Sequence, residues 1–327
     1  MYIPADKVRQ YMNKSGHLSR PFLFAVDFEM KRGLFIDNPL TQQEVLFRIG
    51  GVCNDSKTHL SNAQKGTLTV KDILSLKDYS IKFETIMKGI RRGNSYLTNL
   101  TVKNEIDTEL SLTNIFRHSV SPFGICCNND FVCFSPERFV MIEKGIITSC
   151  PMKGTIDASV PDASDVILHN YKEICEHNTI VDLIRNDLGK ISREVWVERF
   201  RYIEKIVTDR REILQVSSEI KGILAANYEQ NYGDIVFNLL PAGSVSGAPK
   251  SSTLKLISES EGEERGFYTG VFGYFNGYSL DSAVLIRFIE RAEDGRMFYR
   301  SGGGVTINST CTEEYDEIMK KIYIPKV

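Results

Sequence analysis

Apolar side chains recur at two different spacings along this chain of 327 residues, and each change of spacing indicates a change of secondary structure. Near the start, apolar runs at 22–28 and 45–49 stand between loops rich in Pro, Asn and Gly, so both runs predict short strands. Helical spacing follows at Tyr79, Phe83, Met87 and Ile90, with Gly93 placed to end that helix. A further strand is predicted over 95–101.

Residues 123–150 are predicted to form antiparallel strands, joined by turns at 129–130 and 143–145. Within them, Glu137 alternates with Phe139 and Met141 on one strand face. If that face is the inner one, Glu137 is a buried carboxyl with a raised pKa. The alternative is a glutamate on an edge strand that pairs with a nearby arginine, and the sequence leaves both open.

A single long helix is predicted over 165–190, with an apolar stripe formed by Ile174, Ile180, Val181, Ile184 and Leu188. Glu176 and Asp187 nearly share one face of this helix, but they lie ~16 Å apart along its axis, too far to hold one ion together. A metal at Glu176 therefore needs its other carboxylate from elsewhere in the chain. The alternative is an amphipathic helix with solvated acids.

After strands and loops over 195–222, the segment 234–240 leads into the Gly/Ser loop PAGSVSGAPK at 241–250. This loop is not a Walker phosphate loop, because its lysine lies beyond the last glycine and follows a proline. A helix is predicted next, with Pro249 near its first turn. Such a loop at a helix N-terminus suits an anion, and a plain strand-to-helix turn is the alternative.

Three strands are predicted towards the C-terminus, at 270–275, through 283–289, and at 297–300. In the second strand one face carries Ala283, Leu285, Arg287 and Ile289. An arginine on an apolar face needs an anionic partner, because an unpaired buried guanidinium is very costly. The third strand runs into Gly302, Gly303 and Gly304, which we expect to expose backbone N–H donors to a ligand.

The last helix is predicted to begin after Thr310, where Thr310 and Glu313 have the spacing of a capping box. Its buried stripe is formed by Tyr315, Ile318, Met319 and Ile322. Glu314, Glu317 and Lys321 line one flank at intervals of three and four. Either they form ordinary helix ion pairs, or Glu317 is the distant carboxylate that Glu176 requires.

The composition is that of an ordinary globular protein, with 42% hydrophobic and 25% charged residues. The 40 basic and 42 acidic residues give a net charge of −2, so we expect neither nucleic acid nor an anionic membrane as partner. There is no internal repeat, low-complexity segment or clear linker. Strands and helices alternate without a regular βαβ rhythm, so a single mixed α+β domain is predicted over 1–327.

Seven cysteines are present, an odd number whose spacings match neither a zinc site nor a redox pair. Most of them sit in apolar runs, which is typical of a reducing compartment. The N-terminus lacks the regions of a signal peptide, and no apolar run approaches the ~20 residues of a membrane span. The sequence therefore predicts a cytoplasmic protein.

Candidate chemistry centres on Lys153, which has no acidic residue within three positions on either side. If Lys153 faces an enclosed pocket, its ammonium loses hydration and its pKa falls, which would make it a nucleophile or a base near neutral pH. The alternative is a solvated surface lysine.

Six segments together resemble the chorismate-utilising enzymes, in the order of that family: SPERF (135–139), PMKGT (151–155), EHNTIVDLIRNDLG (176–189), PAGSVSGAPK (241–250), GYFNGYSLDSAVLIR (273–287) and SGGGVTINS to EEYDE (301–317). The likeness covers about residues 78–325, with 1–77 as a shortened N-terminal part. It implies an α+β fold of two large packed antiparallel sheets flanked by helices.

Lysine at position 153 resembles the aminodeoxychorismate synthase component I branch, which aminates chorismate for 4-aminobenzoate and folate synthesis. The resemblance implies that Lys153 attacks C2 of chorismate while Glu137 protonates the C4 hydroxyl, after which ammonia enters at C4 and expels the lysine. Mg²⁺ would be held by Glu176 and Glu317, with Glu314 in the same acidic cluster. The substrate contacts that it implies are Arg287, Tyr274, Ser246, Thr155, Gly302, Gly303 and Gly304.

No glutaminase is recognisable in the sequence, so a separate glutamine amidotransferase subunit is expected to supply ammonia. Three positions depart from the branch: Leu97 stands for a common glutamine, Gln215 for a usual histidine, and Phe288 for a usual threonine. Two alternatives remain, an anthranilate synthase component I and a non-catalytic chorismate-binding subunit.

Overall fold

A computed structural model describes residues 1–55, 68–127, 129–207 and 212–324 of the chain. These residues form two antiparallel β-sheets packed face to face, with helices outside them, so the predicted α+β architecture is confirmed. Residues 208–211 of the predicted strand and loop region lie outside the described residues, as does residue 325 at the end of the motif region.

The strands, in chain order, are β1 (Ile3–Pro4), β2 (Phe22–Val26), β3 (Arg32–Asp37), β4 (Val45–Ile49), β5 (Val52–Cys53), β6 (Leu68–Asp72), β7 (Leu97–Thr108), β8 (Phe123–Cys127), β9 (Phe131–Ser135), β10 (Arg138–Glu143), β11 (Ile146–Ser149), β12 (Met152–Asp157), β13 (Ser192–Val207), β14 (Glu212–Leu224), β15 (Gly247–Ala248), β16 (Val271–Phe275), β17 (Ser279–Val284), β18 (Phe288–Arg291) and β19 (Met297–Val305). The helices are α1 (Ala5–His17), α2 (Leu76–Arg91), α3 (Leu112–His118), α4 (Ala163–His169), α5 (Tyr171–Gly189), α6 (Tyr232–Leu239), α7 (Gly243–Ser246), α8 (Lys250–Glu261) and α9 (Cys311–Lys320).

Strand order brings distant parts of the chain side by side. The first sheet runs β1-β3-β2-β16-β17-β10-β11-β14-β12, with β13 also paired to β14. The second sheet runs β15-β7-β19-β18-β9-β8-β4-β5, with β6 also paired to β7. Lys153 on β12 and the glycines of β19 therefore belong to different sheets, and they can meet only where the sheets face each other.

The core between the sheets follows from alternation along the strands. On β2, Leu23 and Ala25 face the second sheet, whereas Phe22, Phe24 and Val26 face α1, α5 and α6 on the outside. From the second sheet, Phe47, Ile125 and Phe288 close the inner core, and the Phe288 ring stacks on Phe131 at 4.9 Å. Burial of this apolar surface, at roughly 25 cal/mol per Å², holds the two sheets together.

The other helices cover the second sheet and its edge. Helix α3 packs against the outer face of that sheet, where Phe116 is fully buried. Helices α2, α8 and α9 pack around Leu100 of β7 and Val305 of β19. Gly93 ends α2 as predicted, with φ +79 and its N–H bonded to the Ile90 carbonyl. No helix among the described residues is both long enough and apolar enough to span a membrane.

Two predicted elements are wrong. The single helix over 165–190 is two helices, because Asn170 leaves the helical region (φ −68, ψ 112) and its side chain caps α5 by accepting from the Glu173 N–H. The strand through 283–289 is interrupted, because the chain leaves the first sheet after Val284 and enters the second at Phe288. Arg287 lies on this crossing with φ +55, a conformation that places it at the boundary of the two sheets.

The three glycines were expected to follow a strand, but they lie inside β19, paired with Thr101, Leu100 and Asn99 of β7. Neighbouring residues of an antiparallel strand point their backbone groups to opposite sides. Gly302 points its carbonyl away from β7, where it accepts from the Lys321 ammonium at 2.9 Å. The expectation that all three offer free N–H donors is therefore wrong.

Candidate active site

Lys153 points into the space between β12, α5 and β19. Its Nζ lies 2.9 Å from Glu176 Oε2 on α5, and its side chain is 27% exposed. Gly154 follows with φ +90, so the strand bends directly after the lysine. The prediction that Lys153 faces an enclosed site, rather than bulk solvent, agrees with this placement.

The charge state of Lys153 differs from the one expected. Burial alone would lower the pKa of Lys153, but the Glu176 carboxylate, with help from Glu317 and Glu173, raises it above the usual lysine value. The expectation of a lowered pKa for Lys153 is therefore wrong. The sequence could not show this effect, because Glu176 is 23 positions away (176 − 153 = 23).

The glycines of β19 form the floor below Lys153. A Cβ atom at Gly304 would lie 3.8 Å from Lys153 Nζ and 3.3 Å from Leu97 Cδ1, and one at Gly303 would lie 3.4 Å from Glu314 Oε2. A Cβ at Gly302 would approach Thr101 Cγ2 to 2.9 Å. A side chain at Gly304 would fill the space in front of the lysine, so this glycine keeps the cleft open there.

The predicted acidic residues converge on this cleft from two helices. Burial raises the pKa of Glu314, and the Glu317 and Glu176 carboxylates raise it further, which places all three in one electrostatic cluster. Glu173, which the sequence did not single out, joins them: its Oε2 would lie 3.0 Å from a Cβ at Gly154. Of the two alternatives for Glu317, the structure shows the helix ion pair, with Lys321 Nζ 2.7 Å from Glu317 Oε1; a metal shared with Glu176 stays a prediction.

Glu176, Glu314 and Glu317 each pair with a lysine. Lys172 Nζ lies 3.9 Å from Glu314 Oε1, and Lys321 Nζ lies 2.7 Å from Glu317 Oε1. Burial alone would raise the pKa of Glu317, but Lys321 and other lysines hold it below its usual value. Within the described ranges, no three acidic, cysteine or histidine side chains are grouped closely enough to hold a metal. The oxygen-only donors fit a hard cation such as Mg²⁺ in chemistry, while their geometry is that of ion pairs.

Glu137 lies on the other side of the cleft, directly before β10. It is half-buried, and burial raises its pKa against the opposing effects of a hydrogen bond from Ser244 and the charges of Lys153 and Arg287. The prediction of a raised pKa is confirmed, and the edge-strand alternative is wrong, since β10 is paired on both sides. A carboxyl that keeps its proton at higher pH is suited to act as an acid.

Arg287 supplies a positive charge beside Glu137. Its Nε lies 3.4 Å from the Tyr323 hydroxyl, and Tyr299 and Tyr268 are its other polar neighbours. No carboxylate of the described residues lies within ion-pair distance of its guanidinium, so the predicted anionic partner is not supplied by that part of the chain. The guanidinium N–H groups of Arg287 therefore remain available to donate two parallel hydrogen bonds to a carboxylate ligand.

Three predicted substrate contacts lie apart from these groups. Tyr274 is buried between the sheets with its ring 5.1 Å from that of Phe47, and the tyrosine that accepts a hydrogen bond from Arg287 is Tyr323. The Ser246 hydroxyl donates to the Ala242 carbonyl of its own loop at 2.8 Å. Thr155 is exposed and faces Gln215 across the β12–β14 pair. Their roles towards substrate stay predictions.

Several site residues were missed in the sequence. Ser244 shares its loop with Ser246, and nothing in the loop pattern distinguishes the two hydroxyls. Tyr268 lies outside the quoted motif, which begins at residue 273. Lys172 lies close to Asn170, where one helix ends and the next begins, and its sequence context is that of a surface lysine. Lys321 was noted only as an ion-pair partner on a helix flank. The buried positions of Leu97 and Phe288 explain why apolar residues are accommodated at both.

The comparisons with known proteins agree with this architecture. The chain belongs to the chorismate-binding enzyme family, which it matches over residues 30–326. It is 45% identical to an uncharacterized PabA-like protein of Pasteurella multocida over 320 residues, 97% of each chain. It is 32% identical to aminodeoxychorismate synthase component 1 of Bacillus subtilis, over 75% of this chain and 54% of that one.

Anthranilate synthase component 1 of Acetivibrio thermocellus is 31% identical, over 80% of this chain and 54% of that one. Identity alone therefore does not separate the two reactions. The solved anthranilate synthase component I of Streptococcus pneumoniae matches with a TM-score of 0.73 and 22% identity, over 98% of this chain and 84% of that one. This likeness shows a shared fold.

Proposed function

We propose that this chain aminates chorismate at C4 to give 4-amino-4-deoxychorismate, as a transferase in 4-aminobenzoate and folate synthesis. The observation that supports this proposal most is the placement of Lys153 and Glu137 in one cleft, with the Lys153 charge acting on the Glu137 carboxyl. An amine and a protonated carboxyl on opposite sides of a bound ring are the groups that the substitution needs.

In the proposed reaction, the neutral Lys153 amine bonds to C2, the ring double bonds shift, and the C4–O bond breaks. Glu137 donates its proton to the departing hydroxyl, which leaves as water. Ammonia then bonds to C4, the double bonds shift back, and the C2–N bond to Lys153 breaks. The proton lost by the new C4 ammonium returns to Glu137, so the enzyme is regenerated. Two displacements replace one difficult substitution.

Substrate orientation is assigned to the charged groups of the cleft. Arg287, which lacks a carboxylate partner among the described residues, binds the enolpyruvyl carboxylate as a bidentate pair. Glu176 and Glu317, with Glu314, are the residues that would hold Mg²⁺, and the ion would supply positive charge for the ring carboxylate. The absence of a side chain at Gly304 leaves space for the ring in front of Lys153.

Ammonia is assigned to a separate glutamine amidotransferase subunit. The sequence contains no recognisable glutaminase, and the relative in Pasteurella multocida carries the name PabA-like. Ammonium salts are expected to replace that subunit in vitro, because the uncharged ammonia molecule is the species that reacts.

The decisive experiment is incubation of the purified chain with chorismate, Mg²⁺ and ammonium salt, with the mass of the product measured. The proposal expects 4-amino-4-deoxychorismate with its enolpyruvyl group retained. Release of pyruvate with fluorescent anthranilate would identify an anthranilate synthase instead. Binding of chorismate without turnover would indicate a non-catalytic subunit.

A further inference from the structure

We propose that Asp187 and Lys250 are positioning residues for Glu137, acting through the loop of residues 241–248 that carries Ser244. This inference rests on the proposed function for the role of Glu137 as an acid. Neither residue touches the cleft itself. Their effect would pass through Ser244, which lines one small cavity together with Glu137 and Asp187.

Lys250 is the first residue of α8 and fastens the end of the loop to two elements. Its Nζ donates to the Leu239 carbonyl at 2.8 Å and lies 3.2 Å from Asp187 Oδ2. Leu239 ends α6, directly before the loop, and Asp187 lies near the end of α5. One ammonium therefore ties the start of the loop, its end and α5 together.

The loop touches Asp187 itself at its centre. A Cβ atom at Gly243 would lie 3.1 Å from Asp187 Oδ2, so the loop backbone passes directly over this carboxylate. Ser244 is the next residue. If Asp187 or Lys250 shifts, Gly243 should shift with it, and the Ser244 hydroxyl should move because Ser244 is the next residue.

A small cavity lies behind Ser244. Its volume is about 30 Å³, room for a water molecule, and its lining includes Glu137, Ser244, Gly243 and Asp187. Packing fixes the other sides of the loop, where Ala242 and Val245 are buried. On the side of the cavity, the ion pair and the Leu239 carbonyl supply a constraint that side chains do not.

Lys190 provides a matched control. Its Nζ lies 2.7 Å from Asp187 Oδ1, the other oxygen of the same carboxylate, but its side chain is 52% exposed, and among the described residues it has no hydrogen bond or ion pair to the loop. Lys250 is 19% exposed, and burial lowers the pKa of its ammonium. Two lysines thus pair with one aspartate, and only one of them holds the loop.

The groups around Glu137 determine in which direction its pKa should change when the loop moves. Lys153, Arg287 and Lys321 act on it by charge, and Ser244 by a hydrogen bond, and all four favour the carboxylate form. If the loop moves and the hydrogen bond is lost, the Glu137 proton is held to higher pH. Ser244→Ala removes the same hydrogen bond directly, so it should shift the alkaline limb of kcat/KM in the same direction.

The test compares Lys250→Met, Ser244→Ala, the double variant and Lys190→Met in pH profiles with chorismate, Mg²⁺ and ammonium. We expect Lys250→Met to lower kcat about tenfold to a hundredfold with little change in the KM for chorismate. Its alkaline limb should move to higher pH. The double variant should match Ser244→Ala alone, and Lys190→Met should match the unaltered protein. The proposal would be overturned if the effects of Lys250→Met and Ser244→Ala on kcat added up in the double variant. Equal losses of kcat in Lys250→Met and Lys190→Met would overturn it as well.

Hydrogen exchange separates this inference from the proposed function. Amides of 241–248 should exchange faster in Lys250→Met than in Lys190→Met, measured without substrate and so independently of the reaction. Equal exchange would contradict the positioning role even if the reaction is as proposed. If Lys250→Met does not fold, Lys250→Gln keeps a donor for the Leu239 carbonyl and loses only the charge that pairs with Asp187, so the same changes are expected with smaller size.

Discussion

The Lys153 ammonium lies 2.9 Å from a Glu176 carboxylate oxygen, although the two residues come from a strand and a helix of different motifs. Only the protonated lysine can form this ion pair, whereas attack on a ring carbon needs the neutral amine. The ion pair must therefore open before the proposed chemistry begins. The structure thus shows Lys153 in its charged, ion-paired form.

Replacement of Glu137 by glutamine should lower turnover strongly and change its pH dependence. The acid works in its protonated form, so activity should fall as the pH rises through the raised pKa of Glu137. In Glu137→Gln this alkaline fall should disappear, and kcat should drop about a hundredfold or more, because general acid catalysis is lost. The check is a profile of kcat/KM against pH. An unchanged alkaline limb in the variant would assign that limb to another group.

The same substitution should stabilise the fold near neutral pH. A carboxyl whose pKa is raised in the folded state binds its proton more tightly there than in the unfolded chain, so stability is lost as the pH rises from the unfolded towards the folded pKa. Glu137→Gln removes this loss. The variant should therefore have a higher free energy of unfolding than the unaltered protein at pH about 7. This difference should shrink as the pH falls towards about 4.3, the usual pKa of glutamate.

Denaturant unfolding at both pH values measures this difference. Glu143→Gln is the control, because this carboxyl lies on the same strand with its side chain 49% exposed. A variant at Glu137 that is less stable than the unaltered protein at neutral pH would contradict the assigned environment of this carboxyl.

Gly304→Ala tests the floor of the cleft. The new methyl group would lie 3.8 Å from Lys153 Nζ and 3.3 Å from Leu97 Cδ1, in the space assigned to the ring. The variant should fold, because Gly304 has no left-handed backbone conformation, but kcat/KM for chorismate should fall about tenfold or more. Gly189→Ala, a helix position with no atom within 4 Å of the new methyl, should have little effect. Full activity of Gly304→Ala would place the substrate elsewhere.

Arg287→Lys tests the assigned carboxylate contact. Both side chains carry a positive charge and both must adopt φ near +55, so backbone strain is matched between them. Only arginine has the planar fork for a bidentate pair, so the KM for chorismate should rise about tenfold with a smaller change in kcat. Arg291→Lys, at an exposed position, is the control. Unchanged steady-state constants in Arg287→Lys would remove the bidentate contact.

Periodicity predicted the elements that have one face in the core, such as α2 with its buried Tyr79 and Phe83. It failed at Arg287, because side chains keep alternating in the sequence where the chain passes from one sheet to the other. It also missed the break at Asn170, where a side-chain cap outweighs a continuous helical pattern.

The sequence predicted those residues of the site that belong to local motifs. Lys153, Glu137, Glu176 and Glu317 do converge on one cleft. Tyr274 was assigned to the substrate by its place in a motif, whereas the contact of Arg287 with Tyr323 depends on how the crossing between the sheets is built. The lysines opposite the acids, and the resulting rise in the pKa of Lys153, are products of the tertiary fold that no local pattern contains.

The central claim is that Lys153 forms a bond to the substrate, and intact-protein mass spectrometry tests it most directly. With chorismate and Mg²⁺ but no ammonia, the account predicts a protein heavier by chorismate less one water, with the added mass on the peptide that contains Lys153. Lys153→Arg should show no such species and should lose turnover. Normal turnover of Lys153→Ala with ammonium, with no adduct on the unaltered protein, would contradict the account.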